Sequence, residues 1–150
     1  MIRPYQKDDL LGCIQTLIAA YNGEPWRNHW TEETAARYLN EFAASPDFVG
    51  WVAMDEDQLA GALFGRRKTW WTQDELFVDE LFVHPKAQGK GHGKHLLQAA
   101  EENCRKNGLA GVTLLTNRFM PAMAFYKQNG YELNDHVAFL YKVVPPESHS

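Results

Sequence analysis

The residues with the clearest chemical purpose lie in a glycine-rich segment near the middle of the chain. An apolar stretch ends at Val83, and an apolar helical stripe begins at Leu96. Between them, glycines recur at alternate positions: Gly89, Gly91 and Gly93. Such glycines leave room for backbone N–H groups to converge, and a helix N-terminus behind them adds partial positive charge. The segment is predicted to hold an anion such as a phosphate.

The glycine spacing does not match two common phosphate-binding motifs. A Walker loop would need a glycine where Gln88 stands and a hydroxyl residue where His95 stands. A dinucleotide fingerprint would meet Lys94 or Leu96 where its last glycine belongs. The sequence therefore disfavours a nucleotide-phosphate enzyme.

Carboxylates that could serve as a general base lie just before this loop. Glu75, Asp79 and Glu80 are on or beside the predicted strand that ends at Val83. Because side chains alternate along a regular strand, we expect Asp79 on the face of Val83 and Glu80 on the face of Phe82. The two adjacent carboxylates are then expected not to share a face.

Four tryptophans lie in two connecting segments of the chain. Trp26 and Trp30 fall between two predicted helices, and Trp70 and Trp71 fall between two predicted strands. Together with nearby carboxylates they could enclose a cationic amine through cation–π and ionic contacts. Alternatively, some of them cover the sheet or form a dimer surface.

The composition bounds the class of protein. A chain of 150 residues with 45% hydrophobic content predicts one compact domain over residues 1–144, with a frayed tail over 145–150. A net charge of −4 disfavours a nucleic-acid binder, and no apolar run is long enough for a membrane span. Two distant cysteines favour a reducing, cytoplasmic location. His92 and His95 lack a third ligand, so no metal site is expected.

The hydrophobic periodicity predicts the element order β-α-α-β-β-β-α-β-α-β-β. The fold class is α/β (α+β) with a mixed sheet. The predicted strands cover residues 2–5, 48–54, 58–67, 76–83, 111–116, 131–133 and 137–143. The four predicted helices cover about 10–21, 31–44, 91–107 and 121–129.

Two segments resemble motifs of one enzyme family. Gln88–Gly93 fits the pattern Gln/Arg-x-x-Gly-x-Gly/Ala and resembles the pyrophosphate loop of the GNAT superfamily, the acyl-CoA-dependent N-acetyltransferases. Asn117–Tyr131 resembles that family's segment Asn-x(4)-Ala-x(2)-Phe-Tyr-x(3)-Gly-Phe/Tyr. The predicted element order is also similar to the GNAT fold, a mainly antiparallel sheet flanked by about four helices.

This resemblance implies acetyl-CoA as co-substrate. The backbone of Leu81, Phe82 and Val83 would bind the pantetheine arm. The pyrophosphate would be held by the N–H groups of Gln88, Gly89, Lys90, Gly91, His92, Gly93 and Lys94. Lys90 could equally be a solvated loop lysine. Asn117 would hydrogen-bond a pantetheine amide, or else be a turn residue at a strand end.

The resemblance also assigns catalytic roles. Tyr126 would protonate the departing CoA thiolate, although it could instead be a core tyrosine. The N–H of Val83 would stabilise the oxyanion. Glu80 would deprotonate the amine, with Asp79 as runner-up; Glu80 could alternatively be a salt-bridge partner or an anchor for the substrate ammonium.

The predicted activity is direct acetyl transfer from acetyl-CoA to a primary amine of a small cationic acceptor, bound by Trp26, Trp30, Trp70, Trp71 and Glu75. Two alternatives remain open, a protein or peptide N-acetyltransferase and a non-catalytic CoA-binding regulatory domain. A homodimer is conceivable, and neither nucleic acid nor membrane is expected as a partner.

Overall fold

The structure is a computed structural model that describes residues 1–147. The chain divides into two compact units, Met1–Thr116 and a second unit from Asn117 onward. Part of the predicted tail, residues 148–150, lies outside the described residues. The assignment of residues 1–144 to one domain stays a prediction.

The first unit is built on a five-stranded sheet. Its strands lie in the order β1-β2-β3-β4-β5, with antiparallel pairing from β1 to β4 and parallel pairing between β4 and β5. The strands are β1 Ile2–Pro4, β2 Phe48–Asp55, β3 Gln58–Lys68, β4 Glu75–Val83 and β5 Val112–Leu114. The predicted mixed, mainly antiparallel sheet is confirmed.

The described residues form four α-helices, three of them in the first unit. They are α1 Leu10–Asn22, α2 Glu32–Ala43, α3 His92–Asn107 and, in the second unit, α4 Pro121–Gln128. Thr31 begins α2 because its hydroxyl accepts the Thr34 N–H at 3.1 Å. Gly108 ends α3 in a left-handed conformation, φ 67°, that glycine adopts without strain. None of the helices in the described residues is long and apolar enough to cross a membrane.

The core lies on both faces of this sheet. Helices α1 and α2 pack on the face that carries Val52, Phe64 and Phe82, and their buried contributions include Leu17 and Leu39. Helix α3 contacts β2, β3 and β4, and it buries four side chains of its own: Leu96, Leu97, Ala100 and Cys104. Because apolar residues occupy both faces of β3 and β4, these strands are held firmly between two layers of helix.

The pairing of β3 with β4 contains a β-bulge. Phe64 pairs with Glu80, whereas the next residue, Gly65, pairs with Val78. Asp79 is therefore an extra residue in β4 that has no partner of its own across the strand pair. A bulge breaks the alternation of side chains at that point.

The bulge places two carboxylates on the same face of the sheet. Glu80 lies opposite Phe64, and the carboxylate of Asp79 lies 3.5 Å from the Nε atom of Arg66. Phe64 and Arg66 are two residues apart in β3, so they share a face. The expectation that Asp79 and Glu80 occupy opposite faces is wrong, because it assumed a strand without a bulge.

Strands β4 and β5 pair only along their first parts. The parallel pairing joins three residues of β4 to three of β5: Leu76 to Val112, Phe77 to Thr113 and Val78 to Leu114. It ends at Val78. From Asp79 to Val83, β4 has no β5 partner. In this stretch the Leu81 carbonyl accepts a hydrogen bond from the Tyr21 hydroxyl at 3.3 Å.

The last two predicted strands, residues 131–133 and 137–143, are wrong. The described part of the second unit has α4 as its regular element, and residues 131–147 form no strand. The apolar side chains in this stretch are largely exposed, among them Val137, Phe139, Leu140 and Tyr141. The sequence pattern reports strand propensity, but a strand also needs a neighbouring strand for its hydrogen bonds. No strand of the described residues pairs with this stretch.

The bulge can be tested at Gly65. A Cβ atom there would lie 2.9 Å from the Phe77 carbonyl oxygen, a backbone atom that would have to move. We expect Gly65→Ala to lower the free energy of unfolding by about 1–3 kcal/mol, measured by urea denaturation. Gly111→Ala is the matched control, because a Cβ at Gly111 meets nothing within 4 Å. Equal stability of the two variants would contradict the close approach at the bulge.

Candidate functional site

Glu80 is the centre of a hydrogen-bonded cluster on the face of the sheet covered by α1 and α2. The Tyr21 hydroxyl, from α1, donates to its Oε1 atom at 2.7 Å. The Tyr38 hydroxyl, from α2, donates to its Oε2 atom at 2.5 Å. Each carboxylate oxygen therefore receives one phenolic hydrogen bond, and the backbone N–H of Leu81 adds a further hydrogen bond to this carboxylate.

The surroundings change the proton affinity of this carboxylate. Burial raises the pKa of Glu80 above its ordinary value, and the hydrogen bonds from Tyr38 and Tyr21 partly oppose that shift. The neighbouring charge of Asp79 raises the pKa of Glu80 further. Burial, and then the Glu80 carboxylate, raise the pKa of Tyr38, so this phenol remains a donor. A carboxylate with a raised pKa is a stronger base than an exposed one.

Two tryptophans form the next layer around these tyrosines. The Trp26 ring lies 5.6 Å from the Tyr21 ring, edge to face, and the Trp30 ring lies 4.8 Å from the Tyr38 ring. The Asn22 side chain accepts from the Trp30 N–H and donates to the Trp30 carbonyl, both at 2.9 Å. The segment after α1 is thereby folded back, and it brings Trp26 and Trp30 to the tyrosines that bind Glu80.

Asp79 completes the polar part of this cluster. Its side chain is 10% exposed and lies 3.5 Å from the guanidinium of Arg66, which is itself about half exposed. Burial raises the pKa of Asp79, and the charge of Arg66 opposes the shift. Asp79 is thus an ion-pair partner beside Glu80, and its carboxylate already has a cation nearby.

The other predicted acceptor-binding residues are not part of this cluster. Trp70 lies against the ammonium of Lys68 at 5.6 Å, and Trp71 is 85% exposed. Glu75 is at the far end of β4, where it pairs with Lys68. Within the described residues, no hydrogen bond or ring contact joins these three to Tyr38. The predicted set therefore divides into two groups.

The glycine loop begins where β4 ends. Pro85–Ala87 forms a short 3-10 turn, in which the His84 Nδ1 atom accepts the Lys86 N–H at 3.1 Å. Gly89 and Gly91 have φ values of 81° and 86°, in the region that favours glycine. The strand, loop and helix start predicted here are confirmed.

The loop presents a row of backbone donors. In the described chain, the N–H groups from Gln88 to Lys94 donate to no protein acceptor, whereas that of His95 bonds the Gly91 carbonyl at 3.0 Å. The row combines the loop with the first turn of α3, where the helix dipole is positive. Unpaired donors in this arrangement can bind a phosphate group.

Two loop side chains contact the hairpin between β2 and β3. The Lys90 ammonium lies 3.0 Å from Asp55 Oδ2, and His92 Nε2 lies 3.6 Å from the same oxygen. Lys90 holds the pKa of Asp55 below its ordinary value, chiefly through this hydrogen bond. Lys90 is thus tied to Asp55 rather than free in solvent, and its role toward a phosphate stays a prediction.

The second unit carries the two other predicted site residues. The side-chain oxygen of Asn117 accepts the Phe119 N–H at 2.9 Å, and its carbonyl accepts the Met120 N–H at 3.1 Å, so Asn117 forms a turn before α4. The Tyr126 ring, on α4, contacts the Phe125 ring at 5.2 Å and the Tyr131 ring at 5.8 Å. The role of the Tyr126 hydroxyl as the proton donor to the CoA thiolate stays a prediction.

The two tyrosines that bind Glu80 were not predicted from the sequence. Tyr21 and Tyr38 lie at helical spacing among the apolar residues of α1 and α2, so the hydrophobic periodicity alone does not distinguish them from core residues. A phenol in such a stripe is a signal in itself, because a buried hydroxyl needs a hydrogen-bond partner. Among the described residues, no group of three or more His, Cys, Asp or Glu side chains could hold a metal ion.

Comparison with known proteins gives one curated relative and many solved structures of the same fold. The relative is the uncharacterized N-acetyltransferase YhfO of Bacillus subtilis (strain 168), 43% identical over 56 residues. The match covers 37% of this chain and 38% of that protein, so it spans well under half of the relative.

Two solved structures illustrate the shared fold. A transcriptional regulator from Bacillus halodurans C-125 has a TM-score of 0.76 at 20% identity, with 95% of this chain and 99% of that chain covered. The aminoglycoside acetyltransferase meta-AAC0020, from an uncultured soil metagenomic sample and in complex with sisomicin, has a TM-score of 0.75 at 18% identity, with 97% and 96% covered. At these identities the likeness concerns the fold alone.

The family assignment comes from a sequence match over most of the chain. The model of the acetyltransferase (GNAT) family matches residues 13–131, which include β4, the glycine loop and α4. The match therefore covers both segments whose residues resemble the family's motifs. The chain belongs to the GNAT acetyltransferase family.

Proposed function

We propose that this protein transfers the acetyl group of acetyl-CoA directly to the primary amine of a small cationic acceptor. The observation that carries the proposal is the Glu80 carboxylate, partly buried among aromatic rings on the same strand that leads into the row of unpaired loop donors. One strand thus connects a base to an anion-binding loop. A base and an anion-binding loop on connected elements suit a reaction between an acetyl donor that carries phosphate groups and an amine.

Glu80 is the proposed general base. A primary amine is an ammonium ion near neutral pH, and it must lose a proton before its lone pair can attack a thioester. The ammonium N–H bond breaks, the proton passes to a free lone pair of Glu80, and the amine becomes neutral. The raised pKa of Glu80 brings its proton affinity closer to that of the amine.

The surroundings of Glu80 favour a cationic acceptor. Trp26 and Trp30 add aromatic faces beyond the tyrosines, and Asp79 adds a second carboxylate on the same face of the sheet. Aromatic faces and carboxylates both attract an ammonium group. The aminoglycoside acetyltransferase fold described above is consistent with such an acceptor, but the choice among amines rests on the residues of this chain.

The acetyl-CoA side of the reaction is assigned to β4 and the loop. The side of β4 from Asp79 to Val83 that β5 leaves unpaired suits the amides of a pantetheine arm. The N–H groups from Gln88 to Lys94 suit a pyrophosphate. The Val83 N–H would stabilise the negative charge that develops on the thioester oxygen.

Tyr126 is the proposed acid. When the C–S bond breaks, the electron pair leaves with sulfur, and a phenolic proton would pass to the thiolate. The family motif in Asn117–Tyr131 supports this assignment, and Asn117 is the proposed partner of a pantetheine amide.

The acceptor class can be found by measuring thiol release from acetyl-CoA. The panel consists of polyamines, aminoglycosides, amino acids and short peptides, each tested at several concentrations. We expect turnover with cationic small amines. Turnover with peptides alone would replace the small-molecule acceptor by a protein acceptor. Binding of acetyl-CoA with turnover by none of the four classes would contradict the proposed activity.

With an active acceptor in hand, Glu80→Gln tests the base. The variant keeps the side-chain size but accepts no proton, so we expect kcat/KM at pH 7 to fall about 100-fold or more. Because the base acts when ionised, wild-type kcat/KM should rise with pH through the pKa of Glu80. We call this rise the acidic limb of the pH profile, and the variant should lack it.

Glu102→Gln is the control for this experiment. Glu102 lies on α3 in an exposed ion pair with Arg105, away from the cluster around Glu80. We expect its kcat/KM and pH profile to match those of the wild type. If kcat/KM of the Glu80→Gln variant rose with pH as it does in the wild type, Glu80 would not be the base.

The loop can be tested by two substitutions at opposite ends of α3. Gly91 and Gly108 both have positive φ, 86° and 67°, so alanine at either position strains the backbone by about 1–2 kcal/mol. We expect similar losses of stability for Gly91→Ala and Gly108→Ala. Calorimetric titration with CoA should show about tenfold weaker binding in Gly91→Ala only. Equal CoA affinity in the two variants would argue against the loop as the pyrophosphate site.

Tyr126→Phe tests the acid. Loss of the phenolic proton should lower kcat several-fold or more, with a smaller effect on the affinity for CoA. Tyr131→Phe is the matched control, because its ring belongs to the same aromatic group and the family motif accepts phenylalanine there. Equal kcat values for the two variants would leave Tyr126 without a catalytic role.

A further inference from the structure

We propose that Tyr21 and Tyr38 are positioning residues that hold the Glu80 carboxylate in one orientation and stabilise its ionised form. The inference rests on the proposed function of Glu80 as the base. It adds two residues, from two different helices, that neither the family motifs nor the sequence pattern assigns to the reaction.

Two hydroxyls hold the two oxygens of the Glu80 carboxylate. Tyr21 bonds Oε1 and Tyr38 bonds Oε2, at 2.7 and 2.5 Å. A carboxylate held at both oxygens cannot rotate about its terminal bond without breaking one hydrogen bond. Since α1 and α2 supply one donor each, the orientation of Glu80 depends on the packing of both helices against the sheet.

Ring contacts hold the two tyrosine donors in place. The Tyr38 ring contacts the rings of Trp30 and Phe42, each with its centroid 4.8 Å away. The Tyr21 ring contacts the Trp26 ring at 5.6 Å. Aromatic contacts on these rings limit where each hydroxyl can point. The hydroxyls therefore serve as prearranged donors and need little reordering when an acceptor binds.

The two phenols also affect the charge of Glu80. The ionisable groups that face Glu80 are Tyr21 from α1, Tyr38 from α2 and Asp79 from β4, with Arg66 from β3 paired to Asp79. Burial and Asp79 disfavour the ionised carboxylate, whereas the two phenols and, to a smaller extent, a backbone hydrogen bond from Leu81 favour it. Without the phenols, the effect of burial on the pKa of Glu80 would be opposed more weakly, and Glu80 would remain protonated to higher pH. A protonated Glu80 cannot accept a proton from the ammonium.

The test uses Tyr38→Phe, Tyr21→Phe and the double variant. Each removes a hydroxyl and keeps the ring that packs in the cluster. Because a lost donor disfavours the ionised carboxylate, we expect the acidic limb of kcat/KM to move to higher pH in each single variant and further in the double variant. At pH values above the limb, kcat should remain within about tenfold of the wild type.

Tyr5→Phe is the matched control. The Tyr5 ring packs on the same face of the sheet, 5.0 Å from the Phe64 ring, and makes no hydrogen bond to Glu80. Its substitution removes a hydroxyl from the same layer, so a general loss of packing would affect it too. We expect an unchanged limb in this variant. If the acidic limb of kcat/KM moved as far in Tyr5→Phe as in Tyr38→Phe and Tyr21→Phe, the shift would be a general structural effect, and the proposal would be overturned.

A second readout needs no acceptor and therefore separates this inference from the proposed function. In protein labelled with carbon-13 at the glutamate carboxyl carbons, the Glu80 signal is the one that Glu80→Gln lacks. Its titration midpoint should lie above that of exposed glutamates and should rise in Tyr38→Phe and Tyr21→Phe. This shift in a protein that acetylates no amine would support the positioning and refute the activity.

Two outcomes would overturn the positioning role. One is a Glu80 midpoint that stays the same in Tyr38→Phe and Tyr21→Phe. The other is complete loss of turnover at every pH in Tyr38→Phe with an unchanged Glu80 midpoint, because that combination would make the phenol a proton carrier rather than a support for Glu80.

Discussion

The structure depends on the burial of one carboxylate at a point where a strand is irregular. Placing Glu80 under α1 and α2 is unfavourable for its charge unless donors compensate for the lost water. The chain provides those donors from both covering helices, through the hydroxyls of Tyr21 and Tyr38. The packing of α1 and α2 on the sheet and the ionisation of Glu80 are therefore linked.

The bulge at Asp79 serves the same arrangement from the side of the sheet. A regular β4 would send Asp79 and Glu80 to opposite faces, whereas the extra residue keeps both on one face. Close approach of Gly65 to the Phe77 carbonyl explains why glycine occupies the position opposite the irregularity. Arg66 then balances Asp79, which leaves Glu80 as the carboxylate whose oxygens receive only neutral donors.

Local features were predictable from the sequence, and those that depend on distant partners were not. The glycine loop was predicted because positive φ at Gly89 and Gly91 restricts the residue type. The bulge was missed because register is set between strands, and the tyrosine donors were missed because an apolar helical stripe does not reveal what a hydroxyl meets. The strands predicted at 131–133 and 137–143 failed for a related reason, since propensity does not supply a neighbouring strand.

Glu80 lies on β4, a strand covered on both faces, and the glycine loop follows the end of this strand, so the distance between Glu80 and the loop is constrained. Glu80 is three residues from the end of β4, roughly 10 Å along the strand at the usual rise per residue. Helix packing on both faces fixes that separation, so a molecule bound along β4 with its phosphates in the loop would meet the carboxylate at a set distance. Under the proposed function, an acceptor would then fit between the rings of Trp26 and Trp30 and a donor bound along β4. Selectivity among amines would come from this layer, because β4 and the loop are shared by every acceptor.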